Sequence, residues 1–224
     1  MKPAVATPYP ESSILDARVN RHFGGGDLVV DLGCGDGAWI DSVKSRYARA
    51  IGIDISDGAR TSRGGSIDSW EFIQRDLNEG PLPLPDGCAD GVRANQVIEH
   101  VANPLHFVAE ACRVLRPGGV FVASTPNIRY LRHIMRLVLK GYGPMTSGAA
   151  LRTAQVWDDG HIHFFTARDL EWLARNAGFS RVHSEALISP TGKGSCARRA
   201  LDKIRSREII KSFLSGNVMV VAWK

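Results

Sequence analysis

The sequence predicts a doubly wound α/β domain, with a parallel sheet and helices on both faces. Three observations carry that prediction. Short apolar runs alternate with stretches of helical spacing along most of the chain. A glycine-rich turn, Gly33-Cys34-Gly35-Asp36-Gly37, directly follows the first of those runs. At 224 residues and 44% hydrophobic content, the chain is long enough to bury one real core.

The elements follow in order. Pro3, Pro8 and Pro10 mark an arm, and Ser12 or Ser13 caps a helix that runs to about Phe23 and ends at Gly24-Gly25-Gly26. Residues 1–25 are thus an N-terminal arm and helix. Leu28–Leu32 is short and rich in Val and Leu, as a strand buried on both faces should be. After the glycine turn comes a helix over 38–47. "RAIGIDIS" (49–56) is a second buried strand, a Gly/Ser-rich loop spans 57–66, and "SWEFIQRDL" (69–77) is a third strand. "GPLPLPDGC" (80–88) is a loop punctuated by proline.

"ADGVRANQVIEHV" (89–101) reads as a fourth strand running into a loop. Asn103 is a suitable N-cap and Pro104 a suitable first residue for a helix over 104–115, with Leu105, Val108, Cys112 and Leu115 on one face. "RPGG" stops that helix, and "VFVASTPN" (120–127) is a fifth strand, which closes a core over 26–127. Residues 128–165 form a lid or acceptor region: an amphipathic helix over 128–141, then an irregular stretch over 142–160. Residues 166–224 hold a helix (167–177), two late strands (181–188 and 217–224) and a basic helical segment between them.

The glycine turn raises a question of charge. Gly33 to Ala38 satisfies a loose G-x-G-x-x-G/A pattern, and such turns usually cradle a phosphate. Here Asp31 and Asp36 flank the turn. A pyrophosphate would meet like charges near 4 Å, at a cost of roughly 1–4 kcal/mol. S-adenosylmethionine has no phosphate and carries an ammonium and a sulfonium, so the same carboxylates would attract it. The competing reading has Asp36 capping the helix and Asp31 in water. Asp54 ends the second strand about 20 residues beyond the first glycine, where an acidic side chain reaches a ribose diol. Asp76 ends the third strand and is placed to accept the adenine amino hydrogens, with Leu77 packing on the ring.

Taken together, "VVDLGCGDG", "GIDIS", "RDL", "ANQVIEHVANP" and "ACRVLRPGGVFVASTPN" resemble, in that order, the motifs of class I S-adenosylmethionine-dependent methyltransferases. The resemblance spans about residues 26–127, with a looser match to 185. The stretch from Thr125 to Phe179 resembles bacterial glycan-tailoring enzymes and ubiquinone-pathway O-methyltransferases. The resemblance implies a Rossmann-like seven-stranded sheet, six strands parallel and the last, "NVMVVAWK", antiparallel. It also implies that Asp31, Gly33, Cys34, Gly35 and Gly37 line the methionine side. By the same resemblance Asp54 and Ile55 meet the ribose, Asp76 and Leu77 the adenine, and Asn95 with Gln96 floors the active site.

Methyl transfer to a hydroxyl needs a base beside the acceptor. The candidates are Glu99 and His100, after the fourth strand, and His161 and His163 in "DDGHIHFFT". The two later histidines alternate, so in extended chain only one faces the substrate. A metal reading competes. Small-RNA 2′-O-methyltransferases hold a divalent ion with a Glu-x-x-Glu-His run and a later His, but Gln96 replaces the first Glu here. One carboxylate and two imidazoles suit Mg²⁺ poorly, so no metal is expected. Were an ion bound, Glu99, His100 and His161 or His163 would be its ligands.

Charge and composition bound the partners. The net charge is +5, with locally basic segments at 128–140 and 192–211. Arg132, Arg136 and Lys140 lie along one helical face, opposite Leu131, Ile134, Met135 and Val138. This helix either packs on the core as a lid, the preferred reading, or rests on a membrane surface or grips a phosphorylated or lipid-linked sugar. Nucleic acid is not an expected partner, because no aromatic-interleaved basic motif appears. Scattered Cys34, Cys88, Cys112 and Cys196, with no apolar leader and no membrane-length run, imply a cytoplasmic chain with reduced thiols.

The expectation is a class I methyltransferase that uses S-adenosylmethionine and releases S-adenosylhomocysteine, with a small-molecule or glycan acceptor methylated at oxygen. Transfer to nitrogen or carbon, a cofactor-binding protein without turnover, and an NAD-dependent oxidoreductase are the alternatives.

Overall fold

The computed structural model describes residues 18–61, 69–143, 145–146, 157–187 and 212–224. The expected arm, the start of the first helix, most of the lid loop and the 192–211 segment lie outside them. Seven strands form one sheet: β1 (Gly26–Leu32), β2 (Tyr47–Asp54), β3 (Glu71–Gln74), β4 (Ala89–Asn95), β5 (Leu115–Pro126), β6 (Arg181–Leu187) and β7 (Asn217–Trp223). Their order is β3-β2-β1-β4-β5-β7-β6. Pairings among β1 to β5 are parallel, whereas β7 runs antiparallel between β5 and β6. The expected architecture, six parallel strands and an antiparallel last one, is the architecture present.

Period-two alternation divides the core between two faces. Leu28, Val30 and Leu32 of β1 join one cluster. Val29 joins the other, with Trp39, Ile40 and Val43 of α1 (Ala38–Val43). The first cluster is covered by α3 (Pro104–Val114) and α5 (Ala167–Asn176); a short helix, α2 (Gly58–Thr61), follows β2. Asn103 caps α3, its side chain accepting from His106 N at 3.1 Å, with Pro104 in the first turn as expected. Thr166 and Asp169 form a reciprocal capping box at the start of α5.

Three local expectations are corrected. β5 begins at Leu115, because Leu115 pairs with Ala89 before a register shift and Gly118 N bonds to Lys224 O at 2.9 Å. The "RPGG" stretch therefore stops the helix by continuing as strand. Leu105 is exposed, whereas Val108, Cys112 and Leu115 are buried as expected, with Phe107, Ala111 and Val114 beside them. The amphipathic helix, α4 (Leu131–Lys140), fully buries no residue, and of its apolar residues only Ile134 is half-buried, so most of its apolar face is not packed on the core. Among the described residues, no helix is long and apolar enough to cross a membrane.

Candidate active site

The strands' C-terminal ends carry a cavity of about 450 Å³, within the range of small-molecule sites. Gly33, Asp54, Ile55, Asp76, Leu77, Gln96 and His100 line it, together with Asn78, Val97 and Val101. Seven of the residues singled out in the sequence therefore share one wall.

The glycine turn is built by left-handed backbone. Gly33 has φ 71° and Gly37 φ 77°. A Cβ on Gly33 would collide with Val97, and one on Gly37 with the Trp70 ring, so both positions need glycine for conformation and for space. Gly35 N donates to Asp54 Oδ2 at 2.8 Å, and Ser56 N and Oγ donate to Oδ1 at 2.9 and 2.8 Å. These bonds fix the Asp54 carboxylate at the turn. Asp76 is held in a local turn by Asn78 N and Nδ2, at 2.9 and 3.0 Å on one oxygen.

The structure revises the charge argument for the two flanking carboxylates. Asp31 is wholly buried and bridged by Arg93 Nη1, at 3.1 and 3.0 Å to its two oxygens. Arg93 in turn lies over the Trp39 ring, 4.6 Å from its centroid. Asp31 is therefore neutralised behind the turn. It is neither a charge in water nor one offered to a ligand. Asp36 is exposed and accepts from Ala38 N at 3.0 Å just before α1, whose N-cap position is Gly37. Asp54 and Asp76 are the carboxylates that reach the cavity. Burial, then the neighbouring Asp31 and Asp54, push the Cys34 thiol far up, so it stays protonated.

The second half of the site forms where β4 ends. Asn95 Oδ1 accepts from Ser124 Oγ. Gln96 takes the left-handed region with φ 56°, which is uncommon without glycine and turns the chain into the cavity wall. The Glu99 backbone carbonyl then accepts from Ile162 N and His163 N at 3.0 and 3.2 Å. This docks the distant 161–163 segment and brings His161 against His100, ring centroids 4.7 Å apart. His163 goes elsewhere: its ring tilts on Phe165 at 5.9 Å, and Nε2 is buried with no hydrogen-bond partner among the described residues.

Proton inventory fixes both tautomers. His100 Nδ1 lies 3.1 Å from Gly160 O, which can only accept, so Nδ1 carries the proton and the neutral ring keeps its lone pair on Nε2. The Thr146 hydroxyl donates to Asp158 Oδ2 at 3.0 Å, so His161 Nδ1, 2.6 Å away, donates to that hydroxyl. Glu99 is buried, neither carboxylate oxygen has a hydrogen-bond partner among the described residues, and burial pushes its carboxyl up to about 7. The ligating atoms of Glu99, His100 and His161 lie within 4.8 Å of one another. One carboxylate and two imidazoles form a donor set that suits zinc or iron better than Mg²⁺.

Arg93, Thr146, Asp158 and the Gly160 carbonyl escape a reading of the sequence. Arg93 carries a signal, since a cation inside the buried run "ADGVRAN" demands a buried anion on the adjacent strand, and β1 supplies Asp31. Asp158 carries none. Its left-handed backbone, φ 48°, is visible only in the folded chain.

Adenosine fits this cavity by its own observations: a turn that closely admits a ligand, a fixed carboxylate at the end of β2, and a second carboxylate beside Leu77. The known proteins agree with that geometry. A family model described as "Methyltransferase domain" matches residues 13–184. A Mycolicibacterium smegmatis protein named a probable S-adenosylmethionine-dependent methyltransferase is 40% identical over 119 residues, 53% of this chain and 45% of that protein. The chain spans less than half the length of several relatives that it matches. A demethylmenaquinone methyltransferase of Symbiobacterium thermophilum is 32% identical, over 76% of this chain and 75% of its own. A ubiquinone biosynthesis O-methyltransferase of Psychrobacter arcticus is 28% identical, over 70% and 60%. In fold, a solved S-adenosylmethionine-dependent methyltransferase from Mesorhizobium loti superposes with TM-score 0.64 at 21% identity, covering 96% of this chain and 98% of that one. With motifs, sheet order and family model in agreement, the chain belongs to the class I S-adenosylmethionine-dependent methyltransferases.

Proposed function

We propose that this protein transfers a methyl group from S-adenosylmethionine to a hydroxyl of a small molecule or glycan intermediate, with His100 as the general base. The carrying observation is the locked His100 tautomer: Nδ1 faces the Gly160 carbonyl while the side chain lines the cavity, leaving Nε2 as the proton acceptor. The cofactor supplies a methyl group already activated on a sulfonium. The chain's task is to place the acceptor oxygen about 3–3.5 Å from that methyl and to take its proton. Asp54 binds the ribose diol, Asp76 and Leu77 hold the adenine, and Gly33, Cys34, Gly35 and Gly37 admit the methionine tail. Asn95 and Gln96 shape the floor, with Asp31 acting behind them through Arg93.

Glu99 and His161 support the base. Burial raises the Glu99 carboxyl and so favours its neutral form beside the base, and His161 packs edge-on against the His100 ring. His163 has no part in proton transfer. The likeness to a ubiquinone biosynthesis O-methyltransferase supports an oxygen acceptor. Free thiols at Cys34, Cys88 and Cys112 support a cytoplasmic setting. The test is transfer of labelled methyl from the cofactor to a panel of phenols and sugars, with His100, His161 and His163 each replaced by alanine. Loss confined to His100→Ala supports the assignment. Full rate in that variant removes His100 from the mechanism, and no transfer to any acceptor, with S-adenosylhomocysteine still bound, favours a binding protein.

A further inference from the structure

Helix α4 is amphipathic, and most of its apolar residues face outward. At 100° per residue, Leu131, Met135, Val138 and Leu139 form one stripe, and Arg132, Arg136 and Lys140 fall beside it. A helix on a globular surface normally buries such a stripe. Here Val138 is 71% and Leu139 69% exposed, and Leu131 and Met135 are nearly half exposed. The side that meets the protein carries the half-buried His133, Ile134 and Arg136. Arg136 Nη2 reaches Met145 Sδ at 3.2 Å, and the His133 ring packs on Tyr130 with centroids 5.4 Å apart.

Charge selects what covers this stripe. No Asp or Glu occurs between Glu110 and Asp158, whereas Arg129, Arg132, Arg136 and Lys140 all do. A second copy packed antiparallel on the stripe about a two-fold axis would set Arg132 of one copy near Lys140 of the other, and the helix itself has no carboxylate to offset them. A phosphate-bearing apolar surface satisfies both halves of the helix at once. At 10 residues, α4 is about 15 Å long, which suits a helix lying in an interface and not one crossing it.

We propose that α4 is a membrane-docking element: Leu131, Met135, Val138 and Leu139 enter the headgroup boundary of anionic lipid, while Arg132 and Lys140 meet its phosphates. The helix leaves the sheet just beyond the C-terminal end of β5, the edge that also carries the cavity. Docking therefore holds that edge close to the lipid, whichever acceptor the cavity takes.

The test is sedimentation of the full chain with vesicles of equal parts phosphatidylglycerol and phosphatidylcholine, and with phosphatidylcholine alone. The unmodified chain pellets with the anionic vesicles and far less with the neutral ones. Val138→Ser/Leu139→Ser and, separately, Arg132→Gln/Lys140→Gln each weaken binding to anionic vesicles by about tenfold or more. Affinity for S-adenosylhomocysteine, measured in parallel, stays unchanged in both variants, which shows an intact fold. No partition of the unmodified chain, or equal partition of both variants, overturns the proposal. So does a lipid-free dimer that Val138→Ser/Leu139→Ser abolishes, since it assigns the stripe to a second copy. Failure of the unmodified chain to bind S-adenosylhomocysteine would count against the proposed function and leave the vesicle result standing.

Discussion

The two halves of the cavity are assembled by different means. The half at the ends of β1, β2 and β3 is local: Gly33 to Gly37, Asp54 and Asp76 each sit within a few residues of the strand that aims them. The half beside β4 is assembled over long range. His100 owes its tautomer to Gly160, 60 residues away, and His161 owes its own to Thr146 and Asp158. A site in an open α/β sheet thus takes its cofactor end from strand–turn chemistry and its acceptor end from loops that pack late. Damage to the first half should appear in stability and cofactor affinity, and damage to the second in turnover.

Asp31→Ala gives the largest effect. It leaves Arg93 buried without its carboxylate, and it should cost about 3–5 kcal/mol in denaturant unfolding. A loss under ~1 kcal/mol would show that the pair is not a structural support for the turn. His100→Ala comes next, with turnover down by about 100-fold or more and S-adenosylhomocysteine affinity within about twofold. A parallel loss of affinity would erase the proposed division of labour.

Glu99→Gln tests the electrostatics of the second half. Burial pushes the folded carboxyl up to about 7 from its ordinary 4.5, a difference worth roughly 3 kcal/mol. Because the folded chain holds that proton more tightly, this contribution is complete below pH 4.5 and is lost as pH rises through 7. The Gln variant should therefore gain stability over the parent at pH 8 and match it near pH 4.5 in thermal melts. An unchanged difference across that range would mean that Glu99 finds a partner in solution. The smallest effect is expected from chelation. Exhaustive EDTA treatment should leave turnover within about twofold, whereas loss that is restored by added zinc or iron would make Glu99, His100 and His161 ligands.

Legibility in the sequence followed the same division. Strand placement, the antiparallel last strand, the Asn103 cap and the lining positions of Gly33, Asp54, Asp76 and Leu77 rest on patterns a few residues long, and such patterns survive translation into three dimensions. Misreadings arose where partners lie far apart. Asp31 looked like a charge facing a ligand because Arg93, 62 residues on, could not be seen to cross to it from β4. Alternation separates His161 from His163, neither of them among the cavity's lining residues, but that His161 meets the His100 ring depends on the Glu99 carbonyl that receives that segment. Helical periodicity found α4 and its two faces. It could not say which face turns outward, because that depends on what the helix packs against.

The central claim is that Asp54, fixed beside the glycine turn, holds the ribose of S-adenosylmethionine in this cavity. Calorimetric titration of S-adenosylhomocysteine and, separately, of NAD into the purified chain and its Asp54→Ala variant tests it directly. The account predicts one S-adenosylhomocysteine per chain, weakened by more than about tenfold in the variant through loss of charge-assisted hydrogen bonds, and no comparable heat from NAD. Tighter binding of NAD, or a variant that binds S-adenosylhomocysteine as well as the parent, would contradict it.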